Sequence, residues 1–307
     1  MKRTTIVQAL LALAVLVLPA IPAGASSFMT FVSSSGNDAN DCSSPAPANA
    51  CRHFSRALVQ TSFAGEITCV DAADYIEATV TVAQSVTINC GYPGNFPLLV
   101  INAANIIVTL RNLDRSNTAA PLVDFRNGAA LTLEKVQVSG AGTTSVIRFA
   151  PNADAQLIVS DCLIRDDFSS QVGIVIKPAA GVRATFTVQR TVVASGQFGI
   201  AADGTNGGTV LGIVRDSLVT GNTQAGIIAQ AGGANVTVSV DNVAVTNNGI
   251  GLWATDGTAI LTRRSYITQN ATGVRADGSG AVFSYGDNSL NANPGGNGAF
   301  SGLKALQ

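Results

Sequence analysis

Charge is scarce in this chain. Lys, Arg, Asp and Glu make up 12% of its 307 residues, and the formal net charge is −1. Without a basic field the protein has nothing to neutralise phosphates or anionic headgroups, which argues against nucleic acid as a partner and against a polybasic membrane patch. Histidine occurs once, at His53, so a Ser-His-Asp triad could be built only there. Its place in an apolar N-terminal stretch assigns it a structural role instead. Long apolar runs are also lacking: residues 6–18 form a run of 13, short of the roughly 20 needed to cross a bilayer, and no later run is long enough. The five cysteines, at 42, 51, 69, 90 and 162, do not have metal-ligand spacing, so no metal site is expected from them.

What the chain does have is glycine, 31 of them, together with Asn, Thr and Ser placed in corners rather than charged helices. That composition points to β-structure with many tight turns. Lys2 and Arg3 precede the apolar run, and Ala23, Gly24 and Ala25 follow it. This is the layout of a cleavable export signal, with Ser26 as the first mature residue. The expected location is secreted or periplasmic, with no membrane span in the mature protein and the oligomeric state left open. Export permits disulfides. The expected bridges are Cys42–Cys51 and Cys69–Cys90 with Cys162 free, and five reduced thiols remain the alternative because sequence does not encode connectivity.

A strand, a polar corner and a second strand recur along most of the mature chain. The corners are Cys90, Asn112, Lys135, Asp161, Arg190, Asp216, Asn242, Arg264 and Asp287, spaced 22 to 29 residues apart, and each step is one coil of a stacked solenoid. Two residues before the corner stand Leu110, Leu133, Val159, Val188, Val214, Val240, Thr262 and Tyr285. Three after it stand Val138, Ile164, Val193, Val219, Val245, Ile267 and Leu290. These columns are expected to face inward. Glu134, Ser160, Gln189, Arg215, Asp241 and Arg263 lie between them, a period-two alternation that fits a half-buried strand and not a helix.

Six residues past the corner come Asn222, Asn248, Asn270 and Asn293, expected as left-handed turn residues or as an internal ladder. The third strand of each coil opens with glycine, at Gly173, Gly199, Gly226, Gly251 and Gly273. In these strands the second and fourth residues should point in and the third outward. The segment from His53 to Ser62, with Phe54, Ala57 and Leu58, suits a short helix covering the N-terminal sheet edge.

The stretch Phe31-Val32-Ser33-Ser34-Ser35-Gly36-Asn37-Asp38, followed by Cys51-Arg52-His53-Phe54 and Ala57-Leu58, resembles the opening segment of secreted bacterial β-helix repeat proteins. The coils that follow are similar to those of the pectin lyase-like superfamily. The expected fold is all-β, a single-stranded right-handed parallel β-helix of about ten coils with a short N-terminal capping helix. Residues 1–25 are read as the export signal, 26–64 as the N-terminal lead-in and cap, 65–293 as the β-helix and 294–307 as a tail or cap.

The resemblance implies far less about chemistry, because that superfamily hosts lyases, hydrolases, esterases, epimerases, phage spikes and adhesins. Its lyases hold calcium between clustered carboxylates and use an Arg or Lys as base. If the glycine-led strands form the matching sheet, its outer surface carries Lys177, Asp203, Trp253, Arg275 and Asp277. Trp253 and Arg275 share a column, so an indole and a guanidinium could together take a sugar, or merely contact each other. Lys177, Trp253 and Arg275 are the candidate ligand-binding residues. Arg275, Asp277 and Asp203 are the candidates for catalysis, and calcium enters only with the lyase reading.

Asp166 and Asp167 resemble paired glycosidase acids, but consecutive strand residues point to opposite faces. The corner charges should pair with one another along the rod. The run from Asp203 to Gly208 reads as a turn rather than a calcium loop. The leading expectation is therefore a β-helix scaffold that binds carbohydrate or another cell-surface component. A polysaccharide lyase or hydrolase comes second, and a structural, spike-like component third.

Overall fold

The computed structural model describes residues 26–75, 77–118, 121–141, 145–165 and 171–305. The expected export signal, Asp166 and Asp167 lie outside these residues. The chain is a right-handed parallel β-helix built from a twelve-stranded, an eight-stranded and a nine-stranded sheet. One coil visits each in turn, as in Arg183–Gln189, Val192–Ala194 and Phe198–Gly204. Among the described residues, seven coils place a strand in all three sheets, fewer than the ten expected. The shortfall lies at the ends. Strands Thr61–Cys69 and Val86–Asn89 have no counterpart in the eight-stranded sheet, and the last coil has none in the nine-stranded one.

The alternation along each strand fixes which side chains face in. Leu110, Leu133, Val159, Val188, Val214, Val240 and Thr262 stack in register, each fully buried. Val138, Ile164, Val193, Val219, Val245 and Ile267 form the matching column of the eight-stranded sheet. β-Branched side chains suit such a surface because they fill a pleat with few rotamers.

The corners turn on a single residue. Asn112, Lys135, Asp161, Arg190, Asp216, Asn242 and Arg264 all adopt left-handed backbone, with φ between 47° and 57°. That conformation costs a non-glycine residue roughly 1–2 kcal/mol. The cost is offset by a bond to the next coil: the amide of Asp161 donates to Gln189, that of Arg190 to Arg215 and that of Asp216 to Asp241. Two expected corners differ. Gly286, not Asp287, takes the left-handed position (φ 89°), so Ser284 rather than Tyr285 continues the inward column. Cys90 is tied by the Cys69–Cys90 disulfide instead.

Immediately after these corners runs a ladder of small hydroxyls. The amide of Cys162 donates to Thr191 Oγ1 (3.3 Å), Thr191 to Ser217 Oγ (3.2 Å), Val243 to Ser265 Oγ (3.2 Å) and Ser265 to Asn288 Oδ1 (2.9 Å). Cys162 belongs to this ladder: Val136 donates to its sulfur at 3.4 Å, and the thiol faces the Ser160 carbonyl at 3.1 Å. The free thiol is therefore a structural part, and burial pushes its pKa up to about 11.

A second ladder follows the eight-stranded sheet. Asn222 Nδ2 donates to Asn248 Oδ1 (2.8 Å), Asn248 to Asn270 (2.9 Å), Asn270 to Asn293 (3.1 Å) and Asn293 to Asn297 of the tail (2.9 Å). The left-handed residues there are the ones before, Gly221, Asn247, Gln269 and Ala292. That leaves the asparagines to point inward, against the turn role also expected of them.

Both ends are covered. At the N-terminus, helix α1 (Phe54–Gln60) buries Phe54, Ala57 and Leu58 over the first coil. Glu77 accepts its first amide, Phe54 N, at 2.7 Å. Asp71 gathers Ser33 Oγ, Ser34 N, Ser34 Oγ and Tyr75 Oη within 3.0 Å. His53 Nδ1 meets Asp38 Oδ2 at 2.5 Å, as a structural histidine should. At the other end strand Gly302–Leu303 pairs with Ala281–Ser284, and Phe300 packs on the core.

Candidate binding face

The candidate residues all stand on the outer face of the nine-stranded sheet, where parallel register decides what meets what. One outward column runs Asp124, Arg148, Val175, Ala201, Ile228, Trp253 and Arg275. Its middle is apolar, and with Val172, Phe198, Ala225 and Ile250 it forms a packed patch on the outside of the molecule. Ala201 and Ile228 point outward as the glycine-led pattern requires, yet they are only 4% and 2% exposed because these neighbours cover them. Ala276, expected to face inward, is exposed because its strand is the last of the sheet.

Polar groups bracket this patch. At its C-terminal end the Arg275 guanidinium lies 5.0 Å from the Trp253 ring centroid, and Asp277 accepts from both Trp253 Nε1 (2.8 Å) and Arg275 Nε (2.9 Å). These two donors, Arg275 foremost, hold the Asp277 carboxyl below the usual carboxylate range. The indole is half-buried and its orientation is fixed from its face and its edge. At the other end Asp124 takes Arg126 (2.7 Å) and Arg148 (2.6 Å). Lys177 reaches Asp203 at 2.8 Å. Burial pushes the Asp203 carboxyl up, but the Lys177 and Thr205 donors outweigh burial and leave it lowered. Thr205 N and Oγ1 both donate to Asp203 Oδ1, closing the turn read from the sequence.

The same register separates the candidate acids. Asp203 pairs with Gln230, and Thr255 and Asp277 directly follow Ala254 and Ala276, the last paired residues of the next two rungs, so the two acids are three rungs or about 14 Å apart. That exceeds the roughly 6.5–9.5 Å over which two carboxylates work on one glycosidic bond, and each already holds a cation. Among the described residues no three His, Cys, Asp or Glu side chains gather to hold a metal ion.

The corner charges pair only in part. Arg190 grips Asp161 at 2.7 Å and holds its carboxyl down to about 2. Arg264, however, turns to Asp241 at 2.8 Å and shares it with Arg263.

Sequence reasoning missed a groove of about 590 Å³ on the outer face of the twelve-stranded sheet, lined among others by Ile213, Asp241, Leu261, Arg263, Tyr285 and Lys304. The signal was present in Ile213 and Leu261, apolar residues at outward positions beside the charged Arg215, Asp241 and Arg263.

These features define a protein of the parallel β-helix class whose candidate residues stand on an outer sheet face rather than in an internal cleft. Residues 145–303 match the family model described as right handed beta helix region, and the chain belongs to that family. Comparison with curated proteins and with solved structures found no match. No helix among the described residues is long and apolar enough to cross a membrane.

Proposed function

We propose that this protein is an exported β-helix scaffold that binds carbohydrate on the outer face of its nine-stranded sheet. The observation that carries the reading is the Trp253, Arg275 and Asp277 cluster at the end of the apolar patch. An indole held from face and edge loses little freedom on binding, and an aromatic next to a guanidinium suits the apolar face and hydroxyls of a sugar ring. The spread of Asp203 and Asp277 over three rungs favours binding over hydrolysis.

The test is a glycan array probed with residues 26–307, with and without calcium. Binding that Trp253→Ala abolishes and Tyr285→Ala leaves unchanged supports this face. Binding lost only with Tyr285→Ala moves the site to the groove on the twelve-stranded sheet. No binding to any glycan removes the carbohydrate reading. New ultraviolet absorbance in a calcium-dependent hit would make the protein a lyase, with Arg275 the first residue to replace.

A further inference from the structure

The groove on the twelve-stranded sheet continues beyond Ile213. A second hollow of about 310 Å³, lined by Thr185, Leu211 and Thr237, shares Ile213 and Ser239 with the first, so one furrow runs along the rod. Its floor is an outward column in parallel register: Thr187, Ile213, Ser239, Leu261 and Phe283. Ile213 is 45% exposed there, and Leu261 and Phe283 are half-buried. Charge is confined to one end. Among the described residues none that lines the second hollow is charged, whereas the first carries Asp241, Arg263 and Lys304. Asp241 is held by two guanidiniums, Arg263 at 3.2 Å and Arg264 at 2.8 Å. The Lys304 ammonium lies 4.2 Å from the Phe283 ring centroid, and among the described residues no carboxylate pairs with it. Three cations thus face one acid at the C-terminal end of an otherwise uncharged furrow.

We infer that this furrow binds a free long-chain carboxylate, with the head at Lys304 and Arg263 and the tail running past Leu261 and Ile213 toward Leu211. The distribution of polarity selects that class. A surplus of cations at one end suits a single anionic head, and a floor of Ile, Leu and Phe favours burial of methylenes. The length agrees as well. Thr187 and Phe283 are four rungs, or about 19 Å, apart. A lipid-length chain spans about 15 Å, half of the roughly 30 Å hydrocarbon core of a bilayer, so chain and head together fill the furrow. The occupant is the free amphiphile rather than a bilayer, because the furrow lies along the side of the rod and takes one chain lengthwise.

The experiment titrates residues 26–307 with dodecanoate, below its micelle concentration, by isothermal calorimetry. Affinity should rise about two- to fourfold per methylene from octanoate to dodecanoate. Dodecyltrimethylammonium, with the same chain and the opposite charge, should bind about tenfold more weakly. Ile213→Glu in the floor and Lys304→Glu at the head should each weaken dodecanoate about tenfold or more. Trp253→Ala, on the nine-stranded sheet, should change nothing. Absence of dodecanoate binding, equal binding of the two head groups, or binding that only Trp253→Ala removes overturns the assignment. Sedimentation with phosphatidylglycerol vesicles without binding of monomeric dodecanoate overturns it too. If a variant does not fold, a diazirine-bearing fatty acid photocrosslinked to the wild type reads the same site. Adducts within residues 211–213, 261–263 or 283–285 support the furrow, and adducts confined elsewhere refute it.

Discussion

The ring of Phe186 occupies the space in which a side chain at residue 212 would stand. A Cβ built on Gly212 lies 1.9 Å from the ring, and the two residues are in-register neighbours on adjacent coils, facing inward. The larger aromatic therefore fits only because the next coil offers no side chain at that point.

Gly212→Ala should destabilise the protein by about 1–3 kcal/mol through overpacking, read as a lower urea midpoint. Phe186→Leu in the same chain should recover part of that loss. An additive pair would mean that the two residues do not share the space.

Asn248 is the best internal probe of the asparagine ladder. Its Oδ1 accepts from Asn222 N and Nδ2, and its Nδ2 donates to Asn270 Oδ1 and to the carbonyls of Val219 and Thr246. Asn248→Ala leaves several of these buried groups without partners. Each costs about 1–3 kcal/mol, so a loss of at least about 3 kcal/mol is expected in equilibrium unfolding. The outward-facing Thr246→Ala should cost less than about 1 kcal/mol.

Cys162 should not react with Ellman's reagent at pH 8 in the folded protein, since burial raises its pKa to about 11, and it should react fully in denaturant. Cys162→Ser should be close to neutral, because Ser217 and Ser265 play the same part in other coils. Cys162→Val strands the Val136 amide and should cost about 1–2 kcal/mol.

The pH dependence follows from Asp38, Asp71, Asp161, Asp203 and Asp277, whose folded carboxyls all sit below their ordinary values. A carboxylate depressed on folding contributes stability above its unfolded pKa of about 3.9 and loses it as pH falls through the lower folded value. Thermal stability should be flat from about pH 5 to 8 and fall below about pH 4. Hydrogen exchange should show the N-terminal cap opening first, since Asp38 and Asp71 both sit there. A decline between pH 7 and pH 5 would assign the dependence to other groups.

The architecture was legible because the inward columns repeat at a fixed offset from each corner, and a period of two has one physical meaning. The disulfides also followed the expected pairing. Legibility ended where neighbours in space decide the outcome. The side chain of Arg264 has two acids within one rung and chooses Asp241. Ala201 and Ile228 face out yet are buried, because Phe198 and Trp253 close over them. An extra residue at the last corner moved the turn from Asp287 to Gly286, and corner spacing alone does not reveal a slip of one. Whether the candidate acids Asp203 and Asp277 converge was not legible from their outward positions alone, and register shows that a shared column is also a measure of separation.

The left-handed corners have a further consequence. Each turn is made by one residue of almost any chemistry, Lys135, Asp161, Arg190 or Asn242, and is secured by main-chain bonds to the next coil. The corners therefore place no demand on which coil follows, and outside matched pairs such as Phe186 and Gly212 a coil is a unit of length. Duplication or loss of one, such as the 26 residues from Asp216 to the residue before Asn242, shifts the ends of the rod without altering how either end is closed.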